Sequence, residues 1–298
     1  MSALRSGFVA IIGRSNVGKS TLLNQLVGEK VAITTDKPQT TRHRIQGMYN
    51  DAGHQIIFLD TPGIHKPRHR LGELMVKNAT ETFDDADVIL VVIDAKGGFG
   101  LGDQGIFDAL KSSRSKKFLI LNKMDLMTPQ EFLYLEKKLG DRIKDFDDVI
   151  AISAATGKNL DFLLERIKSE LPEGPRYFPE EVLSDQPEKA IIAEIIREKV
   201  LMYLEEEIPH GVTVLIESFK PRGTEDLVDI GAVIVTEKSS HKGIIIGKGG
   251  RKLKGIGKAA RVDIERFLGM KVYLEIWVKV KEGWRDSDFL LKNYGFKE

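Results

Sequence analysis

Cysteine is absent from the 298 residues, which excludes disulfide staples, thiolate metal sites and cysteine nucleophiles and accords with a reducing compartment. Long apolar runs are missing too. None approaches the ~20 residues of a membrane-spanning helix, and Met1 to Gly7 run into a strand-like segment without a secretory pattern, so the cytoplasm is the expected compartment. Net charge is close to nil, +1 from 45 basic and 44 acidic residues, so no overall field selects a partner. That balance hides a segregation, because His241 to Arg261 holds seven Lys or Arg and no Asp or Glu. Proline is scarce at ten, yet Pro172, Pro175, Pro179 and Pro187 crowd into one acidic and aromatic stretch. Prolines so placed cannot sit inside regular elements, and residues 174–189 read as a linker between a first domain, 1–173, and a second, 190–298. With 42% hydrophobic and 30% charged residues, the chain can support two cores.

In the first domain, apolar runs of strand length stand at Phe8–Ile12, Ile56–Leu59, Val88–Ile93, Phe118–Leu121 and Val149–Ile152, with helical spacing between most of them. Such alternation predicts an α/β fold, a mostly parallel sheet with helices on both faces. The first run enters Gly13-Arg14-Ser15-Asn16-Val17-Gly18-Lys19-Ser20, followed by Thr21 and a helical stretch to Val27. Glycines at this spacing let successive backbone N–H groups curl around phosphate oxygens at a helix N-terminus. Lys19 would then reach the β- and γ-phosphates, and the Ser20 hydroxyl would ligate magnesium. Asp60-Thr-Pro-Gly63 follows the second run, so Asp60 emerges at a strand end, where a carboxylate can hold the metal through water. Gly63 can offer its N–H to the γ-phosphate.

The base is chosen elsewhere. Asn122-Lys123-Met124-Asp125 follows the run Phe118–Leu121, at the strand end where open α/β sheets bind ligands. Guanine carries N1–H and N2–H₂ side by side, two donors that the Asp125 carboxylate accepts together, whereas adenine has a lone pair at N1. Asn122 would tie the loops together, the Lys123 stem would lie along the base, and Ser153-Ala154-Ala155 could supply an N–H to guanine O6. GTP with magnesium is the expected ligand.

In this order the motifs resemble the translation-factor class of small GTPases, over Phe8 to Leu171. The resemblance implies hydrolysis of GTP to GDP and phosphate, with Lys19, Thr41 and Gly63 as its catalytic parts. Thr41, in Lys37-Pro-Gln-Thr40-Thr41-Arg42, matches the switch threonine that completes the magnesium shell, with Thr40 the alternative. Ile64 stands where Ras-like proteins carry the glutamine that orients the attacking water, and it can neither donate nor accept a hydrogen bond. Related GTPases with an asparagine at the Asn16 position and an extended switch, here Gln39 to Arg42, use a potassium ion as a substitute charge, which Asn16 would hold.

The second domain reads α-β-β-α-α-β, an α+β order. Ile244-Ile-Ile246-Gly247-Lys248-Gly249-Gly250-Arg251 places a Gly-x-x-Gly loop before the basic stretch to Arg261, and the whole resembles a type II KH domain. Lys242, Ile246, Gly247, Lys248, Gly249, Gly250, Arg251 and Lys252 are the expected RNA contacts, beside an apolar groove for unpaired bases. A GTPase domain, a linker with Arg176-Tyr-Phe-Pro179 and a type II KH domain together resemble the Era/TrmE-like branch of the class. This implies binding near the 3′ end of small-subunit ribosomal RNA, a role in small-subunit assembly and maturation, and loose association with the inner face of the cell membrane. Neither a DNA partner nor a second copy of the chain is expected. Two other readings compete: an RNA-binding module that holds GTP as a structural ligand, and a tRNA-modification GTPase, which would share Asn16 and Thr40-Thr41-Arg42 but has no use for Gly247 to Gly250.

Overall fold

The computed structural model describes residues 4–35, 37, 40–42, 45–63, 69–81, 86–204, 211–223 and 226–296, the side chains of 76–81 excepted. Gln39 and Ile64 lie outside the described residues. Two compact units emerge, Met1–Arg68 with Gly72–Asp185, and His69–Leu71 with Gln186–Glu298.

In the first unit the elements run β1 (Arg5–Ile12), α1 (Lys19–Val27), β2 (Ile45–Asn50), β3 (His54–Asp60), α2 (Arg70–Glu81, of which 72–81 belong here), β4 (Val88–Asp94), α3 (Leu101–Ala109), β5 (Lys116–Asn122), α4 (Pro129–Leu139), β6 (Asp148–Ala151) and α5 (Leu160–Glu170). The strands form one sheet in the order β2-β3-β1-β4-β5-β6. All its pairings are parallel except β2 with β3. Apolar runs are continuous in β1 and β4 because alternate residues serve different cores. Val9, Ile11, Val88, Leu90 and Val92 join one cluster, and Ala10, Ile12, Ile89, Val91 and Ile93 the other. Each of the valine, leucine and isoleucine side chains among them contributes roughly 1.5–3 kcal/mol by leaving water. The expected strands are all present. The added one, β2, reads Ile-Gln-Gly-Met-Tyr-Asn, too polar to stand out as an apolar run. Parallel pairing brings the carboxyl ends of β1, β3, β5 and β6, and so every motif loop of this unit, to one edge of the sheet.

Part of the proline-rich stretch is strapped to this unit. Gln55 is fully buried and accepts the amides of Tyr177 and Phe178 at 2.6 and 3.0 Å while donating to the Phe178 carbonyl at 2.8 Å. Beyond it, Met48 N–H donates to the Leu183 carbonyl at 2.9 Å, and Gly47 and Ser184 bridge in antiparallel fashion. Residues 183–185 therefore occupy the otherwise open edge of β2, which protects a strand edge.

The second unit contains α6 (Glu188–Tyr203), β7 (Thr213–Pro221), β8 (Leu227–Thr236), α7 (Ser239–Ile246), α8 (Arg251–Leu268), β9 (Lys271–Val280) and α9 (Asp288–Asn293). Its sheet is β7-β8-β9, antiparallel then parallel. The α-β-β-α-α-β order is the expected one, with α9 added. Ile192, Ile195, Ile196 and Val200 of α6 and Ile256, Ala260 and Ile264 of α8 share a core with Val272 and Val278 of β9. Alternation in β9 follows from that one-sided packing, leaving Tyr273, Glu275, Trp277 and Lys279 on the outer face.

Candidate functional site

The loop between β1 and α1 turns at Asn16, whose φ of 65° is left-handed, a conformation asparagine tolerates better than most residues. Lys19 begins α1 and is buried, its Nζ donating to the carbonyls of Gly13 and Arg14 at 3.1 and 2.9 Å. Burial lowers its pKa to about 8, against the raising effect of the Asp60 charge. Burial likewise raises the Asp60 carboxyl above its ordinary value, opposed by Lys19 and by hydrogen bonds from Ser20 and Thr41. Arg14 turns its side chain away from the loop, to Asp103 of α3 at 2.8 Å and the Gly98 carbonyl at 3.2 Å. Its backbone, not its guanidinium, remains part of the cradle.

Three oxygens meet behind Lys19. Ser20 Oγ lies 2.7 Å from Asp60 Oδ2, Thr41 Oγ1 lies 3.2 Å from the same oxygen, and the two hydroxyls are 2.8 Å apart. Asp60 Oδ1 is buried with no hydrogen-bond partner among the described residues. A buried acceptor of this kind costs about 1–3 kcal/mol, and a hard cation satisfies it, so the donor set fits magnesium. Thr40 takes no part, since its hydroxyl donates to the Lys37 carbonyl at 2.6 Å and sits 2.8 Å from Thr35 Oγ1. Gly63 approaches the phosphate loop closely; a Cβ there would stand 2.7 Å from the Ser15 amide nitrogen, so no other residue fits without displacing that loop.

The loops after β5 and β6 are tied to this cradle. Asn122 Nδ2 donates to the Val17 carbonyl at 2.8 Å, and its Oδ1 accepts the Ala154 amide at 2.9 Å. That bond occupies the Ala154 N–H, whereas Ala155 is exposed. Lys123 Nζ donates to the Asn16 carbonyl at 2.8 Å and to Asp94 at 2.7 Å, which ties its stem to the phosphate loop and to the end of β4. Asp94, at the end of β4, was not foreseen; nothing in Val-Ile-Asp94 distinguishes it from an ordinary strand end. Ser153 Oγ donates to Asp125 Oδ1 at 2.5 Å, orienting an exposed carboxylate at the place where the paired guanine donors would arrive.

In the second unit, Gly247, Gly249 and Gly250 all have φ between 61° and 73°, and Gly250 N–H closes the turn onto the Gly247 carbonyl at 3.0 Å. A Cβ at Gly247 would stand 2.7 Å from Lys252 Cβ, whereas Gly249 faces open space. Beside this turn lies a groove of about 530 Å³ between α8 and β9. Leu253, Leu274 and Ile276 supply apolar walls, and Lys254, Lys258 and Arg261 line it as cations at helical spacing. Gly257, facing Ile276, keeps the middle of the groove clear. Of the residues expected to contact RNA, Gly250 lines this groove, Lys248, Gly249 and Arg251 are exposed around the turn, and Lys242, Ile246, Gly247 and Lys252 are half-buried. The other groove residues were not among those expected. Their signal was the basic row Lys254, Lys258 and Arg261 at i, i+4 and i+7, legible only once a helix is assumed.

Two family models match the chain. One, described as 50S ribosome-binding GTPase, covers residues 8–123, and one described as KH domain covers 207–285. Among similar proteins, GTPase Era of Alkaliphilus metalliredigens is 55% identical over 98% of this chain and 99% of its own length. GTPase Era of Clostridioides difficile is 54% identical over 99% of both. A crystal structure of Era in complex with MgGDPNP and nucleotides 1506–1542 of 16S ribosomal RNA superposes with a TM-score of 0.95 at 40% identity, covering 99% of this chain and 100% of that one. A variant of Aquifex aeolicus Era bound to GDP·AlF4⁻ gives 0.94 at 40% identity over the same shares.

Proposed function

The chain belongs to the Era family of GTPases, and from that premise we propose that it hydrolyses GTP at the first unit while its second unit holds the 3′ end of small-subunit ribosomal RNA during assembly and maturation of that subunit. The observation that carries the enzymatic part is the meeting of Ser20, Thr41 and Asp60 around an unpartnered buried carboxylate oxygen, directly behind the phosphate-loop lysine. The RNA part is supported by the Gly247 to Gly250 turn, the basic groove and the 16S fragment bound in the related crystal structure. In this reading residues 1–173 form the GTPase domain, 174–189 the connection and 190–298 the RNA-binding domain.

Ser20, Thr41 and Asp60, the last through water, would hold magnesium, which neutralises charge on the β- and γ-phosphates when bound. Lys19 contributes a fixed positive charge to the same oxygens. It is already desolvated, so little reorganisation accompanies charge development as water attacks the γ-phosphorus and the bond to the β-phosphate oxygen breaks. Backbone N–H groups of residues 13–21 and of Gly63 complete the cradle, and Asn122, Lys123, Asp125 and the 153–155 loop hold guanine. Asp125 pairs with N1–H and N2–H₂, and Lys123 keeps the base loop attached to Asn16, so base recognition and phosphate geometry are mechanically one unit.

Without a hydrogen-bonding side chain at Ile64, no glutamine orients the water. We assign an added positive charge near the phosphates to a potassium ion beside Asn16, which lines the cleft with Ser15 and Gly63. This, with Thr40-Thr41-Arg42, is what supports placing the chain in an Era/TrmE-like branch. Turnover should be faster in potassium than in sodium at equal ionic strength; equal rates remove the ion from the mechanism.

Phosphate release over many turnovers, measured with and without RNA from the 3′ end of the small-subunit ribosomal RNA, tests the whole reading. Sustained release altered by RNA supports it. A single turnover or none favours GTP as a structural ligand. Among the described residues no helix is long and apolar enough to cross a membrane. We place the protein in the cytoplasm with its ribosomal partner and retain loose membrane association on resemblance alone; flotation with anionic vesicles tests it.

A further inference from the structure

The groove ends at a strand edge that carries a second kind of chemistry. β9 is an edge strand, and Tyr273 lines the groove from it. Tyr273 also belongs to the outer face of the sheet, with Trp277 four residues further along, about 13 Å away. Tyr273 and Trp277 are 51% and 48% exposed, a large apolar area left in water on a strand whose other face is packed. Trp277 lies over Gly231 of β8, where a Cβ would come 3.3 Å from the indole edge, so the ring is seated on the sheet with much of its surface still uncovered. Seating the ring accounts for one side of Trp277. It does not account for the exposure of the other.

The surroundings are charged, not aliphatic. Arg222 stands 5.7 Å from the Tyr273 ring centroid while gripping Asp229 at 2.8 Å, and Lys279 pairs with Glu217 at 2.7 Å. Lys220 and Lys271 are exposed on the same face and make no ion pair among the described residues. Glu275, which accepts the Tyr273 hydroxyl at 3.3 Å, lies between the two rings, and the cations without an ion pair, Lys220 and Lys271, lie at the Tyr273 end. Two separate flat rings on so polar a face, with cations at one end to meet phosphates, suit stacked bases better than the continuous apolar surface of a protein partner.

We infer that single-stranded RNA continues from the groove over the edge of β9 onto the outer face of the sheet, where bases flanking the groove-bound segment stack on Tyr273 and Trp277. The inference rests on the RNA-binding reading above. Stacking is tolerant of sequence because every base has a π face, so this face extends the footprint without reading further bases.

The chain has two tryptophans, and they separate the outcomes. Trp284 is fully buried, its Nε1 donating to the Gly211 carbonyl at 3.0 Å, and serves as an internal standard beside the exposed Trp277. Full-length protein would be titrated with GTP and either an RNA of about four nucleotides, matching the groove, or one of about twelve, containing that segment with extensions on both sides. The longer RNA should quench the exposed tryptophan and the shorter should not. W277A should weaken the longer RNA roughly tenfold and leave the shorter unchanged. W277F should restore affinity while abolishing the fluorescence change, and Y273A on the intact Trp277 background should weaken the longer RNA alone, which covers a loss of stability in W277A. If the longer RNA binds through the groove, as shown by loss in G249D, with neither quenching nor a W277A effect, the outer face is not an RNA surface. An apolar protein partner would give that same pair of unchanged titrations. Failure of both RNAs to bind would instead overturn the RNA-binding reading itself.

Discussion

Lys19, Thr41 and Asp60 are no more than 6% exposed, whereas Lys254, Lys258 and Arg261 stand exposed along α8, although both sets are proposed to serve phosphate groups, the first together with magnesium. In the first set Lys19 is held by carbonyls of its own loop, Thr41 and Asp60 are joined to each other and to Ser20 from loops distant in sequence, and burial shifts the pKa of Lys19 down and that of Asp60 up. The second is an array of solvated charges along one helix, with no ion pair to hold it among the described residues. The difference teaches what each site can do. A buried, pre-tied cradle can discriminate one nucleotide and act on it, because unmade bonds are costly where water cannot replace them. An open basic groove gains affinity mostly by counterion release and stacking, and it adapts to its ligand.

The largest effect should come from the cradle side. Asp125→Asn exchanges a double acceptor for a group with one acceptor and one donor, which suits the 2-carbonyl of xanthine in place of the guanine amino group. Ser153 Oγ can still donate to the asparagine carbonyl oxygen, so the loop keeps its shape. The preference for GTP over xanthosine triphosphate should shift by roughly 10⁴ or more, read by competition binding. A change below tenfold would mean that Asp125 does not read the base and that the two sites are less different than they look.

Gly249→Asp breaks the comparison from the other side. The residue faces open space, so nothing clashes, but its φ of 61° is unfavourable to a side chain and the new carboxylate stands where phosphate should arrive. RNA affinity should fall roughly ten- to a hundredfold, with GTP affinity unchanged, both measured by titration calorimetry. Coupled losses would show that the two sites share their machinery.

A pH series sharpens the contrast. Lys19 in the free protein titrates near pH 8, and nucleotide phosphates must raise that value in the complex. Below about pH 8 Lys19 is charged in both states and GTP affinity should be flat in pH. Above it, binding must take up a proton, so affinity should fall by up to tenfold per pH unit. Calorimetry in buffers of different ionisation enthalpy would detect the proton directly. RNA binding by the groove should show no such break near pH 8.

The same contrast explains what was legible in the sequence. Gly13 to Ser20, Asp60 to Gly63 and Asn122 to Asp125 could be read because chemistry demands fixed residue types at fixed spacing, and the strands that carry them are apolar on both faces. Asp94 could not be read, because its role exists only through the fold that brings it beside Lys123. Gln55 is similar, a polar residue in an apolar strand whose partners, Tyr177 and Phe178, lie far along the chain. The sequence pointed to a linker at 174–189 through its prolines, but proline content says nothing about whether a segment lies on a neighbouring strand, as 183–185 do on β2. In the second unit the Gly-x-x-Gly turn was conspicuous and the groove was not. Leu253, Leu274 and Ile276 are ordinary core types, and only the pairing of α8 with β9 makes them a wall.

The smallest expected effect is the one that most directly tests how the groove works. Lys258 lines the middle of the groove, is exposed and has no ion pair among the described residues, so Lys258→Ala removes a charge and some aliphatic stem without leaving a buried partner behind. If Lys258 meets a phosphate, log affinity for RNA plotted against log salt should lose about 0.7 from its slope, the value for one contact on a single strand. Affinity itself should drop only a few-fold near physiological salt, and GTP affinity and its pH profile should not move. A lowered affinity with an unchanged slope would mean that Lys258 acts through its stem, as part of the wall around the bases. The groove would then depend on shape, as the phosphate cradle does, and the contrast between the two sites would narrow to burial alone.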